Sequence, residues 1–182
     1  MRVITGKVRG RKLVSPEGYD VRPTAEVTKE SVFSILNFEL EDKVFLDLFS
    51  GSGQMGIEAL SRGAKKAVFV DNSRMAQRVI MENLNITKLM PQAKVVFMDF
   101  KAFLSVNKET FDIAFLDPPY SQNIPAEALP LLAKQMSENG VIVCETDKRE
   151  DLPERAGDFS IYRVYKYGRA KVTVYRRNSE EE

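Results

Sequence analysis

The chain has 182 residues, 43% of them hydrophobic, and a formal net charge of +1. That length suits one sizeable core, and no apolar run reaches the roughly 18 residues that a membrane span needs. With no histidine and a single cysteine, Cys144, histidine bases, His or Cys metal clusters and an internal disulfide are excluded.

Residues 2–15 alternate around Gly6 and Gly10 and predict a basic hairpin. Met1 to Lys12 carries Arg2, Lys7, Arg9, Arg11 and Lys12 and no acid. A solvated face is the plain reading of such a cluster. Glycine among positive charges also suits close backbone contact with a nucleic acid. The segment Met1 to Lys7 has no signal-peptide core, so the chain is read as cytoplasmic. A loop follows, with Arg22-Pro23-Thr24 at its end. Thr24 is placed as an N-cap, and Val27, Ser31, Val32, Ile35 and Leu36 predict an amphipathic helix to about Phe38.

Val44 to Phe49 is a short apolar strand that runs into Ser50-Gly51-Ser52-Gly53-Gln54-Met55-Gly56. This is G-x-G-x-x-G. A helix over 54–62 follows, with Ile57, Leu60 and Ala64 apolar and Glu58 and Arg62 polar. A second strand over 67–71 ends on Asp71. Glycines permit a tight turn and close backbone approach at a helix N-terminus, and the acid can accept from two ribose hydroxyls. The glycine motif alone is weak. In register with strand, helix, strand and acid it indicates a nucleoside-bearing cofactor, and it leaves NAD and S-adenosylmethionine both open.

Ser73 caps a helix to about Leu84, with Met75, Val79, Ile80 and Leu84 apolar. A third strand over 94–98 ends at Asp99-Phe100, and a short helix covers about 101–106. The fourth strand, 111–117, delivers Asp117-Pro118-Pro119-Tyr120. A helix over about 125–137 and a fifth strand over 140–145 follow. Cys144, within that apolar run, reads as a small buried hydrophobe. Phe159–Tyr165 and Ala170–Tyr175 predict a closing hairpin around Tyr167-Gly168. Tyr162 to Arg177 is again basic without an acid. Strands alternating with helices predict an α/β fold with a parallel sheet covered on both faces. The motif ends at 47–53, 71, 99 and 117–120 all fall at C-terminal strand ends, where open α/β sheets bind ligands.

A strand that stops at two prolines is often only a strand ending in a turn. Here the prolines do more if the glycine motif is real. Each fixes its own φ and restricts the residue before it, so the carbonyls of Asp117 and Pro118 are aimed. Neither proline offers an N–H, so this edge presents acceptors beside a flat ring. A planar group bearing an amino substituent, such as a nucleobase, suits it.

These residues together resemble the RsmD-type 16S rRNA (guanine(966)-N(2))-methyltransferase family. The resemblance rests on Asp47-Leu48-Phe49-Ser50-Gly51-Ser52-Gly53 with Gly56 to Ala64, and on Asp117-Pro118-Pro119-Tyr120. It extends to Arg2-Val3-Ile4, Gly10-Arg11-Lys12-Leu13, Arg22-Pro23-Thr24, Lys29-Glu30-Ser31-Val32-Phe33 and Tyr167-Gly168, and so covers nearly the whole chain. Lys29, where arginine is common, Arg169, where a small residue is usual, and Gln54-Met55 depart from the pattern.

The resemblance implies a class I S-adenosylmethionine-dependent methyltransferase (Rossmann-like) fold. It would have a mostly parallel seven-stranded sheet, one strand antiparallel near the edge, helices on both faces, and an N-terminal basic hairpin and helix. It implies one domain over 1–182, with a basic arm at 1–24 and the catalytic core at 25–182. Cofactor-binding residues would be Asp47, Phe49, Gly51, Ser52, Gly53, Asp71, Asn72, Asp99, Phe100 and Asp117. Asp71 would take the ribose, Asp99 the adenine amine, and Phe100 the adenine ring. Asp117, Pro118, Pro119 and Tyr120 would be catalytic. Arg2, Lys7, Arg9, Arg11, Lys12, Arg22 and Thr24 would meet RNA. The implied partner is 16S rRNA or an assembling small ribosomal subunit, met by a monomer without metal or membrane.

Competing readings are an amino-methyltransferase acting on adenine N6 or on a protein glutamine, an NAD-dependent oxidoreductase, and a non-enzymatic RNA-binding assembly factor. The first group more often carries Asn at the position of Asp117. The second leaves Asp117 to Tyr120 without a task. The third sits poorly with the presence of all four acids, Asp47, Asp71, Asp99 and Asp117.

Overall fold

Apolar residues alternate between two layers along each central strand, as a parallel sheet covered on both faces requires. A computed structural model of the chain describes residues 1–17, 23–119 and 123–178, and the side chains of 23–25 lie outside that description. The elements are α1 (Pro23–Ile35), β1 (Val44–Leu48), α2 (Gln54–Ser61), β2 (Lys66–Asp71), α3 (Arg74–Thr87), β3 (Ala93–Phe97), α4 (Phe100–Val106), β4 (Phe111–Leu116), α5 (Ile124–Ala133), β5 (Met136–Asp147), β6 (Arg155–Ala156), β7 (Phe159–Tyr167) and β8 (Ala170–Arg177).

The strands form one sheet in the order β3-β2-β1-β4-β5-β8-β7-β6. Strands β1 to β5 pair in parallel. β8 runs antiparallel to both β5 and β7, and β6 antiparallel to β7. The expected seven-stranded sheet is therefore an eight-stranded one. The extra strand, β6, is two residues long and too short to leave a periodic signal in sequence.

Phe45, Phe115, Val143 and Val172 point to the layer that holds Val32, Phe33 and Leu36 of α1, Ile57 and Leu60 of α2, and Ile80 and Leu84 of α3. Leu46, Leu48, Ala114, Leu116, Ile142 and Cys144 point to the other layer, with Phe103 and Leu104 of α4 and Leu129 and Leu132 of α5. Each fully buried Val, Leu, Ile or Phe among them contributes about 1.5–3 kcal/mol. The order reverses between β1 and β4. Chain running through β1, β2 and β3 moves one way across the sheet, and β4 and β5 continue the other way. The C-terminal edge at this reversal is the place where open α/β sheets take ligands.

The N-terminal hairpin is present but paired sparsely. A single antiparallel bridge joins Arg2 to Lys12, with Val3 N donating to Arg11 O and Leu13 N to Met1 O. What holds it is α2. Glu58, expected on a polar face, is fully buried. Its carboxylate accepts from Ile4 N at 2.8 Å and Thr5 N at 2.9 Å and pairs with Lys29 and Arg62. Ser61 O accepts from Lys7 N. A Cβ on Gly6, at φ 92°, would lie 1.9 Å from Ser61 O, so only glycine lets the arm lie this close. Lys29 is thus a buried tie between Glu58 and Arg2 O rather than a surface cation.

Helix boundaries differ by a few residues from expectation. α1 begins at Pro23, so Thr24 lies in its first turn rather than at the N-cap. α5 stops at Ala133 and β5 begins at Met136, with Ser137-Glu138-Asn139 in the bulge between the pairs Phe111 with Met136 and Ile113 with Val141.

Candidate active site

Two loops flank the reversal point. After β1, Phe49 N and Ser50 N both donate to Val70 O, which carries the chain across the end of β2. Phe49 adopts φ 69°, in the left-handed region. Gly51 and Gly53 also have positive φ, at 55° and 77°. No atom lies within 4 Å of a Cβ built on Gly51, so the loop has open space on that side for a ligand. Gly56 is needed for packing instead, since a Cβ there would meet the Phe69 ring at 2.3 Å.

Gly53 precedes α2 and has no side chain to cap it. Asp47 supplies the missing acceptor: its Oδ2 accepts from Gly56 N at 2.9 Å. Asp47 is 1% exposed. Burial pushes its carboxyl up to about 8, opposed by the Gly56 N–H and reinforced by the charges of Asp117 and Asp71.

Asp71 ends β2 and ties the glycine loop. Its Oδ2 accepts from Gly51 N at 2.9 Å and its Oδ1 from Ser73 N at 2.8 Å. The carboxylate has further lone-pair directions for a ligand. Asn72 follows it and is exposed. Asp99 caps α4, its Oδ1 accepting from Lys101 N and Ala102 N; these bonds engage one oxygen and leave the other. Phe100 packs on Phe49 with ring centroids 5.4 Å apart, so an aromatic pair bridges the glycine loop and the end of β3.

Across the reversal point, β4 ends at Leu116 and Asp117 follows. Leu116 pairs with Leu48 of β1 and with Cys144 of β5, so Asp117 emerges opposite Phe49 and Glu145. Burial raises the carboxyls of both Asp117 and Glu145, and the charge of Asp117 raises Glu145 further. Asp117 itself is exposed, so water screens its carboxyl and its upward shift is the weaker of the two. Pro118 is buried and Pro119 exposed. Tyr120 and Arg22 lie outside the described residues, as does the side chain of Thr24.

The structure therefore gathers Asp47, Phe49, Gly51, Ser52, Gly53, Asp71, Asp99, Phe100 and Asp117 along one sheet edge. No cation is among the groups that shift Asp47, Asp117 or Glu145. The arrangement is an acidic, partly buried cleft with a glycine loop at a helix N-terminus. Its chemistry favours a ligand that carries positive charge and amino donors. A hollow beside Phe38, Glu39, Lys43 and Asp112 lies at the opposite edge and receives none of these residues.

The arm reaches the same edge. Asn83, fully buried, donates to Val14 O and Ser52 O and accepts from Val14 N. Arg2, Lys7, Arg9, Arg11 and Lys12 are exposed, and none forms an ion pair among the described residues. Glu58, Asn83 and Glu145 were not singled out by the sequence. Their patterns are ordinary for exposed polar positions, and only long-range contacts bury them.

The family model described as Conserved hypothetical protein 95 matches residues 1–176. YlbH of Bacillus subtilis (strain 168) is 38% identical over 97% of this chain and 99% of its own length. Ribosomal RNA small subunit methyltransferase D of Escherichia coli (strain K12) is 31% identical over 100% of this chain and 92% of its own. The solved structure of yhhF from Escherichia coli superposes with a TM-score of 0.86, at 30% identity over 99% of each chain.

Proposed function

We propose, on the premise that this chain belongs to the Conserved hypothetical protein 95 family, which is that of the ribosomal RNA small subunit methyltransferases D, that it methylates the exocyclic N2 amine of one guanine in small-subunit rRNA. The methyl donor is S-adenosylmethionine, which when bound supplies a methyl group already activated by its sulfonium. The observation that carries the reading is the facing of two loops across the β1–β4 reversal, one built for a nucleoside cofactor and one ending in Asp117-Pro118-Pro119.

The residues fit that cofactor. Gly51 leaves open space, Asp71 ends β2 beside it, and Phe49 with Phe100 offers an aromatic wall next to Asp99. The acids Asp71 and Asp117 at this edge suit the sulfonium and ammonium charges. A NAD pyrophosphate would bring negative charge to the same cleft, which disfavours the oxidoreductase reading.

Guanine N2 is a poor nucleophile, because its lone pair is delocalised into the ring. The Asp117 carboxylate and the Pro118 carbonyl would accept its two hydrogens, which would favour a more tetrahedral nitrogen and align the lone pair for transfer. Asp117 can also take the departing proton, directly or through water. Tyr120 would stack on the extruded base, at about 1–3 kcal/mol per base. The arm, held by Glu58 and Asn83 beside the glycine loop, would present Arg2, Lys7, Arg9, Arg11 and Lys12 to phosphates, with Arg22 and Thr24 nearer the site mouth.

The test is direct. Small-subunit rRNA from an undermodified strain is incubated with the protein and methyl-labelled S-adenosylmethionine, then digested to nucleosides and analysed by mass spectrometry. N2-methylguanosine at one position is expected. Label in N6-methyladenosine would favour the adenine reading, and no label in RNA would defeat both.

A further inference from the structure

Glu145 sits one residue beyond the last β4–β5 pair, Leu116 with Cys144. In a parallel ladder paired residues face the same layer. Val143, two residues before Glu145, lies in the layer of Phe45, Phe115 and α2, which is the layer of Asp47. Glu145 therefore shares a face with the candidate site and stands one strand from Asp117, about 4.8 Å away across the sheet. It is half-buried. Among the described residues, no hydrogen bond or ion pair engages its carboxyl, and the one charge that acts on it is the like charge of Asp117.

A half-buried carboxyl beside a like charge is costly for the free protein. It gains when a donor-rich ligand arrives. The edge of guanine that carries the N2 amine also carries N1–H, the next donor along. With the N2 hydrogens directed at Asp117 and Pro118 O, a second acceptor displaced by one strand meets N1–H. Adenine presents a lone pair at N1, which a carboxyl oxygen repels.

We propose that Glu145 is the specificity-determining residue for the base, accepting N1–H of the target guanine. This rests on the guanine-N2 reading above. The discrimination belongs to the ionised carboxyl, which only accepts; a protonated carboxyl could donate to a lone pair at N1, so the preference for guanine should grow as Glu145 ionises.

The probe is an rRNA fragment carrying 2-aminopurine in place of the target guanine. That base keeps the N2 amine but has a lone pair at N1 and no N1–H. Single-turnover methylation of guanine and 2-aminopurine fragments gives a preference ratio for each protein. Glu145→Leu keeps bulk and loses the acceptor; its ratio should fall about ten- to a hundredfold below wild type, through slower methylation of guanine and relief of the repulsion toward 2-aminopurine. Glu145→Gln keeps a carbonyl oxygen for N1–H but adds an NH2 that can donate to N1 of 2-aminopurine, so its ratio should lie between those of wild type and Glu145→Leu. Neither change should lower the melting temperature, since each removes the repulsion from Asp117. A wild-type ratio in Glu145→Leu would overturn the inference, as would a Glu145→Gln ratio as low as that of Glu145→Leu. Failure of the wild-type protein to methylate the guanine fragment would instead strike the guanine-N2 reading.

Discussion

The carboxylate of Asp71 accepts the amide of Gly51 at 2.9 Å, so the acid that ends β2 fixes the loop that follows β1. One side chain thus shapes the loop and, on the proposed reading, would also hold the cofactor's ribose. Asp71→Ala should weaken S-adenosylmethionine binding by about tenfold or more, since charge-assisted hydrogen bonds are each worth roughly 1.5–3 kcal/mol. Calorimetry on the folded variant checks this. Unchanged affinity would remove Asp71 from the cofactor site.

The raised carboxyls predict an unusual pH dependence. Burial pushes the Asp47 carboxyl up to about 8 in the native chain, against roughly 3.9 when unfolded. The native state then holds more protons between about pH 4 and 8, so stability falls as pH rises through that window. Glu145, half-buried and shifted in the same direction, adds to the fall, while solvent screening at exposed Asp117 keeps its share small. Melting temperatures without cofactor should decline from about pH 5 to about pH 8, and Asp47→Asn should flatten the decline. A flat wild-type profile would contradict the burial of the Asp47 carboxyl.

The exposed cations of the arm predict a salt-linked effect on RNA alone. Replacing Arg9, Arg11 and Lys12 together by Ala should raise KM for RNA and flatten its salt dependence, because each phosphate contact releases counterions. Cofactor affinity should stay at the wild-type value. If RNA affinity and its salt slope both survive, the arm is a solvated surface.

Glu58 predicts a large loss of stability from a position that looks polar. Glu58→Ala strands the amides of Ile4 and Thr5 and leaves Lys29 buried without its partner. Breaking a buried pair in this way costs about 3–5 kcal/mol. A sharply lowered melting temperature and faster proteolysis within residues 1–15 are expected. An unchanged melting temperature would show that Glu58 does not hold the arm.

Much of this site was legible because it is local in sequence. Ser73 announced α3 and does cap it, accepting from Ala76 N. Strand, glycine loop, helix and terminal acid all lie within residues 44–71. Glu58 was misread because the apolar period of α2 cannot show that a second segment covers its other side. β6 and the early start of β5 were missed because neither carries an alternating pattern. Glu145 was passed over because an acid at a strand end is common, and its significance appears only when register sets it beside Asp117.

The placement of chemistry at Asp117 is the central claim. Single-turnover methylation of rRNA, at saturating RNA and cofactor, tests it most directly. Asp117→Ala should be slower by on the order of a hundredfold or more, with cofactor binding nearly intact. Asp117→Asn keeps an acceptor carbonyl and should retain substantial activity if the carboxylate acts mainly by orienting the amine. Asn should be nearly as poor as Ala if it acts as the base. We favour orientation, because the methylated amine is acidic enough to lose its proton to water. A wild-type rate in Asp117→Ala would contradict the account under either role.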